Sequence, residues 1–138
     1  MLGEFIQIAQ RGDARGSLSV LESERSFPFP IKRVYYIYGT QPGVERGFHA
    51  HKALNQLAVA VCGSCDMELD DGAKTATLHM DSPSKGVLIG PGIWREMKNF
   101  TPDCVLLVFA DAYYDESDYI RDYHEFVGLV KNKNFFSE

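Results

Sequence analysis

The sequence predicts an all-β domain built as a sandwich or barrel. Short apolar or alternating runs rich in Val, Ile, Leu and aromatic residues recur along most of the chain. Turn-forming Gly, Pro, Asp and Ser separate these runs at close spacing. The length of 138 residues suits one domain with one core. Because we find no internal repeat or linker, we expect a single domain over residues 1–138.

Seven runs have the length and composition of β-strands. They lie at residues 18–21, 31–38, 56–61, 65–69, 76–80, 86–89 and 105–110. Asp71 followed by Gly72 predicts a hairpin turn between the fourth and fifth runs, because glycine tolerates positive φ. After Asp115 the apolar residues recur at roughly helical spacing, which predicts one or two short C-terminal helices.

The bulk composition excludes several classes of partner. The net charge of −5 argues against nucleic acid, whose phosphates are held by clustered Lys and Arg. No apolar run approaches the roughly 20 residues that a membrane helix needs. The N-terminus lacks a basic segment followed by an apolar run, so we expect no secretory signal and a cytoplasmic location.

The three cysteines are more simply explained as structural thiols than as a redox or zinc motif. Cys62 and Cys65 have C-x-x-C spacing, but a second such pair is absent. Gly63 and Ser64 are expected to bend the chain between two strands. We expect Cys62, Cys65 and Cys104 to be free thiols that fill small apolar positions.

Two histidines in the run GFHAH at 47–51 form the strongest functional signal. Residues i and i+2 of a strand point to the same side of a sheet, so His49 and His51 should share one pocket. Because the ordinary imidazole pKa is about 6.5, such a pair suits either a divalent metal or proton transfer.

A second strand presents polar side chains with the same parity. Along residues 31–38, Arg33, Tyr35 and Ile37 share one face. If this face and the two histidines point into one cavity, a guanidinium, a phenol and two imidazoles meet there. That combination suits acid and base chemistry.

Two segments resemble the motifs of the cupin superfamily. The first contains Gly47, His49, His51, Gln56 and Gly63, and the second runs from Gly86 through Pro91 and Gly92 to Arg95. The resemblance implies a jelly-roll (double-stranded β-helix) fold. Gln56 stands near the usual Glu ligand, and Arg95 replaces the last His. A neutral amide is a weak ligand and a guanidinium is a permanent cation, so we expect no tightly bound metal.

Longer stretches resemble the dTDP-4-keto-6-deoxyglucose 3,4-ketoisomerases. They are RGSL at 15–18, IKRVYY at 31–36, RGFHAHK at 46–52, LDDG at 69–72, GPGIW at 90–94 and YYDESDYIR at 113–121. Enzymes of that family are metal-free cupin dimers of deoxy amino sugar biosynthesis. The resemblance implies movement of a ketone from carbon 4 to carbon 3 through an enediol, with no cofactor.

The resemblance and the chemistry together suggest catalytic roles for five residues. We assign the carbon-to-carbon proton transfer to His51, assisted by His49, although the two imidazoles could exchange these roles. Tyr35 would relay protons between the two sugar oxygens. Arg15 or Arg95 would stabilise the developing oxyanion.

The nucleotide diphosphate needs positive charge of its own. Guanidinium groups bind phosphates bidentately, and we expect Arg33, Arg46, Lys52 and Arg121 to bind dTDP. The null hypothesis is that Arg33 and Lys52 are surface charges and that Arg121 pairs with a nearby acid.

Other functions remain open at this stage. The alternatives are a sugar-nucleotide epimerase, a metal-dependent cupin enzyme and a noncatalytic sugar-nucleotide binding cupin. Both the gluco and the galacto product also remain possible. By resemblance, galacto-forming enzymes carry Arg and His at the places of Arg15 and Arg95, whereas gluco-forming enzymes carry Tyr and Arg.

We expect a homodimer, in which pairing would protect an edge strand near residues 4–8.

Overall fold

The computed structural model describes residues 2–132, 135 and 136, whose strands form two five-stranded antiparallel sheets and one separate hairpin. In chain order the strands are β1 Phe5–Gln7, β2 Ala9–Asp13, β3 Gly16–Val20, β4 Arg33–Ile37, β5 Arg46–His51, β6 Gln56–Cys62, β7 Cys65–Asp70, β8 Thr75–Met80, β9 Lys85–Ile89, β10 Trp94–Lys98, β11 Val105–Ala110 and β12 Tyr119–Ile120. One α-helix, α1 (Tyr123–Lys131), follows them. The first sheet has the order β1-β9-β6-β11-β4, the second has the order β12-β5-β10-β7-β8, and β2 pairs with β3.

The main core lies between the two large sheets. Alternate residues of β7 are buried, and Cys65, Met67 and Leu69 point inward. Leu106 and Val108 of β11 come from the opposite sheet and belong to the same buried cluster. The predicted all-β jelly-roll class with a helical C-terminus is therefore confirmed. The described strands form two facing sheets and not one closed barrel.

Strand β10 was missed by the sequence analysis although it lies inside the second sheet. It pairs with β5 on one side and β7 on the other. Three of its five residues, Arg95, Glu96 and Lys98, are charged, so it lacks the apolar alternation of a buried strand. Arg95 is nevertheless only 2% exposed, because its side chain reaches the polar site described below.

The C-terminal segment covers the outer face of the second sheet. Trp94 and Ala50 of that sheet cluster with Ile120 and Phe126. The helix begins after Asp122, whose side chain accepts a hydrogen bond from the Glu125 amide. One α-helix and a 3₁₀ turn at Glu116–Asp118 thus confirm the predicted short helices. No helix among the described residues combines the length and apolar character needed to cross a membrane.

The cysteine prediction is correct for two of the three thiols. Gly63, at φ 62°, turns the chain from β6 into β7 as expected. Cys65 and Cys104 are buried and free. Cys62 is also free but is exposed, so the prediction that it fills an apolar position is wrong. It lies at the end of β6, where the strand leaves the core.

Candidate active site

A β-bulge at the start of β5 positions the two histidines. The pairing of β10 with β5 shifts register between Arg95 and Glu96, and Phe48 is the additional residue. Gly47 and Phe48 have φ values of 91° and 59°. A Cβ atom on Gly47 would lie 2.8 Å from the Arg95 carbonyl oxygen, so a glycine is required there. Beyond the bulge, the His49 and His51 rings lie on one side with centroids 4.9 Å apart, as their spacing predicted.

Both imidazoles are held with Nδ1 as the hydrogen-bond donor. His51 Nδ1 donates to Asp118 Oδ2 over 2.9 Å, and His49 Nδ1 donates to the Gly47 carbonyl oxygen over 3.1 Å. Asp118 is itself fixed, because its Oδ1 accepts the Ala53 amide hydrogen at 2.8 Å. A neutral ring with a proton on Nδ1 carries its lone pair on Nε2. The Nε2 atom of the buried His51 has no hydrogen-bond partner among the described residues.

The surroundings keep both imidazoles neutral near pH 7. Burial, followed by the positive charge of Arg95, lowers the pKa of His49 from 6.5 to about 4. Burial and then Arg95, His49 and Arg33 lower the pKa of His51 to about 2. The Asp118 carboxylate acts against the second shift, because it favours the imidazolium form. Two neutral imidazoles are available to accept protons at neutral pH.

A cavity of about 590 Å³ opens between β4 and β5. Arg33, Tyr35 and His49 line it, as the parity of the two strands predicted, but the prediction that His51 shares this pocket is wrong. The Arg33 guanidinium lies 5.7 Å from the Tyr35 ring centroid and 5.9 Å from that of Tyr114. The cavity therefore combines a phenol, a guanidinium and an imidazole.

His51 opens onto a smaller neighbouring cavity of about 250 Å³. Asp118 lines this second cavity with it, and Arg33 and Tyr119 line both cavities. The Tyr119 ring packs against both imidazoles, with centroid distances of 4.9 Å to His49 and 4.3 Å to His51. A ligand that spans the two cavities would therefore meet both rings.

Arg95, Gln56 and Tyr35 form a buried hydrogen-bonded chain behind the imidazoles. Arg95 donates through Nη1 to Gln56 Oε1 and through Nη2 to the Ile93 carbonyl oxygen at 2.9 Å. Gln56 Nε2 donates to the Tyr35 hydroxyl at 3.0 Å. Burial lowers the pKa of Arg95 to about 10, so it stays cationic at neutral pH, and burial raises the pKa of Tyr35. Within the described ranges, no group of three or more His, Cys, Asp and Glu side chains could hold a metal ion.

Three of the four residues expected to bind phosphate reach the larger cavity. Arg33, Arg46 and Arg121 line it, whereas the exposed Lys52 lines neither cavity. Arg121 stacks on Tyr119 at 4.2 Å and donates to Glu116 at 2.7 Å. Part of its charge is thus already compensated.

Arg15 lies apart from the other candidate residues. It follows β2 in the exposed hairpin, where its side chain is 91% exposed and donates to Asp13 at 2.6 Å. It lines neither of the two cavities. One chain alone does not bring Arg15 to the imidazoles.

Asp118 and Tyr119 contact the imidazoles closely, and no role was predicted for either residue from the sequence. Both lie in the matched stretch 113–121, and β12 pairs Tyr119 with His51 and Ile120 with Ala50. Asp118 lies 67 residues after His51, so no local spacing links the two residues. The signal in the sequence that pointed to them was the family resemblance of the stretch 113–121.

Comparison with known proteins places the chain in a family. The family model described as FdtA, WxcM-like, C-terminal matches residues 2–131. A curated relative from Aneurinibacillus thermoaerophilus, a TDP-4-oxo-6-deoxy-α-D-glucose-3,4-oxoisomerase, is 48% identical over 126 residues, which cover 91% of each chain.

Two solved structures have the same fold over nearly the full length. The WlaRB TDP-quinovose 3,4-ketoisomerase of Campylobacter jejuni is 45% identical with a TM-score of 0.87, covering 91% of this chain and 96% of that one. QdtA, a sugar 3,4-ketoisomerase from Thermoanaerobacterium thermosaccharolyticum in complex with TDP, is 40% identical with a TM-score of 0.93, covering 97% and 99%. This chain therefore belongs to the FdtA family.

Proposed function

We propose that this protein is a sugar-nucleotide 3,4-ketoisomerase that moves the ketone of dTDP-4-keto-6-deoxyglucose from carbon 4 to carbon 3. The observation that carries the proposal is the buried His51, whose Nε2 has no partner among the described residues while Asp118 binds its Nδ1. The names of the relatives agree with this activity. The product would be a 3-keto sugar for deoxy amino sugar biosynthesis.

The reaction moves two protons and needs no external oxidant. A base removes the proton on carbon 3, and the electron pair forms the carbon–carbon double bond of an enediolate. A proton is then added to carbon 4, while the hydroxyl proton of oxygen 3 moves to oxygen 4. The ketone is thereby formed at carbon 3. Neutral imidazoles suit the carbon steps and a phenol suits the oxygen steps.

We assign the carbon proton to His51 and a supporting role to His49. When His51 takes a proton on Nε2, the Asp118 carboxylate at 2.9 Å stabilises the imidazolium that forms. His49 presents its own Nε2 from a ring 4.9 Å away and could carry the second proton. Tyr35, on the opposite wall, would serve the sugar oxygens.

Positive charge would stabilise the enediolate. Arg95 is fixed by its bonds to Gln56 and Ile93 and raises the potential at both imidazoles. Because Gln56 and Arg95 bind each other, their side chains do not complete a cupin-type ligand set around an ion. We therefore propose chemistry without a metal or other cofactor.

The nucleotide would occupy the larger cavity. Arg33, Arg46 and Arg121 line it, and a diphosphate with two negative charges would pair with them. Lys52 would act from outside the cavity, as a longer-range charge. Tyr114 and Tyr119 supply aromatic surface in the same place.

We propose a homodimer because the isolated chain leaves apolar surface uncovered and Arg15 far from the site. Strand β4 lies at the edge of its sheet, and its Val34 side chain is 48% exposed. The β2–β3 hairpin projects with Leu18 exposed. A second copy could cover these surfaces and bring its Arg15 to the site.

All three thiols are free, which supports a cytoplasmic location.

Incubation of the purified protein with dTDP-4-keto-6-deoxyglucose in deuterium oxide, with EDTA present, tests the proposed function. We expect NMR to show a ketone at carbon 3 and deuterium at carbon 4, with coupling constants that identify the gluco or galacto product. Deuterium at carbon 5 would indicate an epimerase. Unchanged substrate with bound dTDP would indicate a binding module, and loss of activity with EDTA would indicate a metal enzyme.

A further inference from the structure

The hydrogen bonds around Gln56 have only one possible direction. Its side chain is buried between Arg95 and Tyr35. A guanidinium has hydrogens to donate and no lone pair to offer, so the group that faces Arg95 must be the amide oxygen. The amide nitrogen therefore faces the Tyr35 hydroxyl, 3.0 Å away.

This direction determines the role of the Tyr35 hydroxyl. The amide nitrogen of Gln56 can only donate, so the phenol oxygen accepts from it and cannot return its own hydrogen. The Tyr35 hydroxyl makes no other hydrogen bond in the part of the chain that the structure describes. Tyr35 lines both the larger cavity and a small cavity of about 20 Å³ that Gln56 and Arg95 also line. Its hydrogen is thus free to point toward a ligand.

We propose that Gln56 is a positioning residue that directs the Tyr35 proton toward the substrate. The inference rests on the proposed ketoisomerase function. Each group in the series Arg95, Gln56 and Tyr35 donates to the next, so the series ends in a donor aimed at oxygen 4 of the sugar. Such a chain polarises its members and strengthens the last donor.

The same bond would assist the proton transfer itself. The Tyr35 O–H bond breaks as a proton is added to oxygen 4, and it forms again with the proton from oxygen 3. No net proton is gained or lost by the protein. While Tyr35 carries negative charge, the Gln56 N–H group donates to it and stabilises it. A carboxylate at position 56 would have the opposite effect.

Kinetics of Gln56→Glu test this inference. The new carboxylate can accept from both Arg95 and Tyr35, so the fold keeps its buried contact while the phenol hydrogen turns away from the cavity. We expect kcat to fall about 100-fold, within the range for a positioned acid or base, with KM and dTDP affinity changed less than about threefold. Gln41→Glu, at an exposed position, is the matched control and should keep wild-type turnover.

Two further variants separate positioning from a purely structural role. Gln56→Met leaves the Tyr35 hydroxyl free to rotate and should lose less activity than Gln56→Glu. A structural role predicts the reverse order, because only methionine leaves the Nη1 group of Arg95 without the acceptor that it has in the wild type. Gln56→Glu should cost much less activity in a Tyr35→Phe background than in the wild type, because Gln56 acts mainly through the phenol and only the offset of the Arg95 charge would remain.

The possible outcomes distinguish failure of the Gln56 inference from failure of the proposed ketoisomerase function. A Gln56→Glu variant with wild-type kcat, the reversed order of the methionine and glutamate variants, or additive losses in the double variant would overturn the inference and leave the ketoisomerase function standing. A wild-type protein that does not convert dTDP-4-keto-6-deoxyglucose would overturn the proposed function, and the inference with it.

Discussion

Replacement of His51 by asparagine is expected to lower kcat for ketoisomerisation by roughly 10³-fold, within the range that a positioned general base contributes. The asparagine amide can still donate to Asp118 in place of Nδ1, so the packing of the site should be retained. The variant lacks an atom at the Nε2 position, where we place the base. Steady-state kinetics with dTDP-4-keto-6-deoxyglucose, together with calorimetric measurement of dTDP binding, would separate loss of chemistry from loss of binding.

His79→Asn is the matched control for this variant. His79 also donates through Nδ1 to a carboxylate, Asp66, at 2.7 Å, but its side chain is exposed and outside both cavities. We expect this control to keep wild-type kcat. Turnover by His51→Asn within about threefold of wild type would exclude His51 as the base, given the expected size of the effect.

Replacement of Asp118 by asparagine should lower kcat by roughly 10²- to 10⁴-fold, because it reverses the tautomer of His51. The asparagine oxygen would keep the bond from the Ala53 amide, which leaves its NH₂ group facing His51 Nδ1. Nδ1 would then have to accept, and the proton would move to Nε2. Nε2 would lose the lone pair that accepts the substrate proton, and the imidazolium would lose its carboxylate partner.

The control for this change is Asp66→Asn, which removes a carboxylate from the exposed His79 and should leave kcat unaltered. Binding of dTDP to Asp118→Asn should stay close to wild type, because Asp118 does not line the larger cavity. A weakened dTDP affinity with unchanged kcat would instead assign Asp118 to nucleotide binding.

Features that depend only on residues close together in the sequence could be predicted from local spacing and turn chemistry. The spacing of His49 and His51 placed their rings together, and the parity of residues 31–38 placed Arg33 and Tyr35 on one cavity wall. The Asp71-Gly72 turn follows from backbone geometry in the same way, with Gly72 at φ 92°. In each case the cause acts within a few residues.

The remaining features depend on contacts between distant segments. Asp118 reaches His51 only because β12 pairs with β5, and neither residue indicates the other in the sequence. Strand β10 was missed because its buried Arg95 serves a polar site and interrupts apolar alternation. Arg15 was matched to a catalytic position, yet its place in one chain is outside the site, and only an assembly could bring it there.

Nitrogen NMR of the imidazole rings tests most directly the claim that both site histidines are neutral bases with their lone pairs on Nε2. Between about pH 6 and 8 we expect His49 and His51 to stay neutral, because burial and Arg95 lower the pKa of His49 to about 4 and that of His51 to about 2. His79 serves as the internal reference, since its bond to Asp66 raises its pKa and it should take up a proton at higher pH than the two site histidines. At pH 7 we expect His51 to carry a proton on Nδ1 and none on Nε2. A His51 midpoint near 6.5, or a proton on Nε2, would contradict the role of His51 Nε2 as the base.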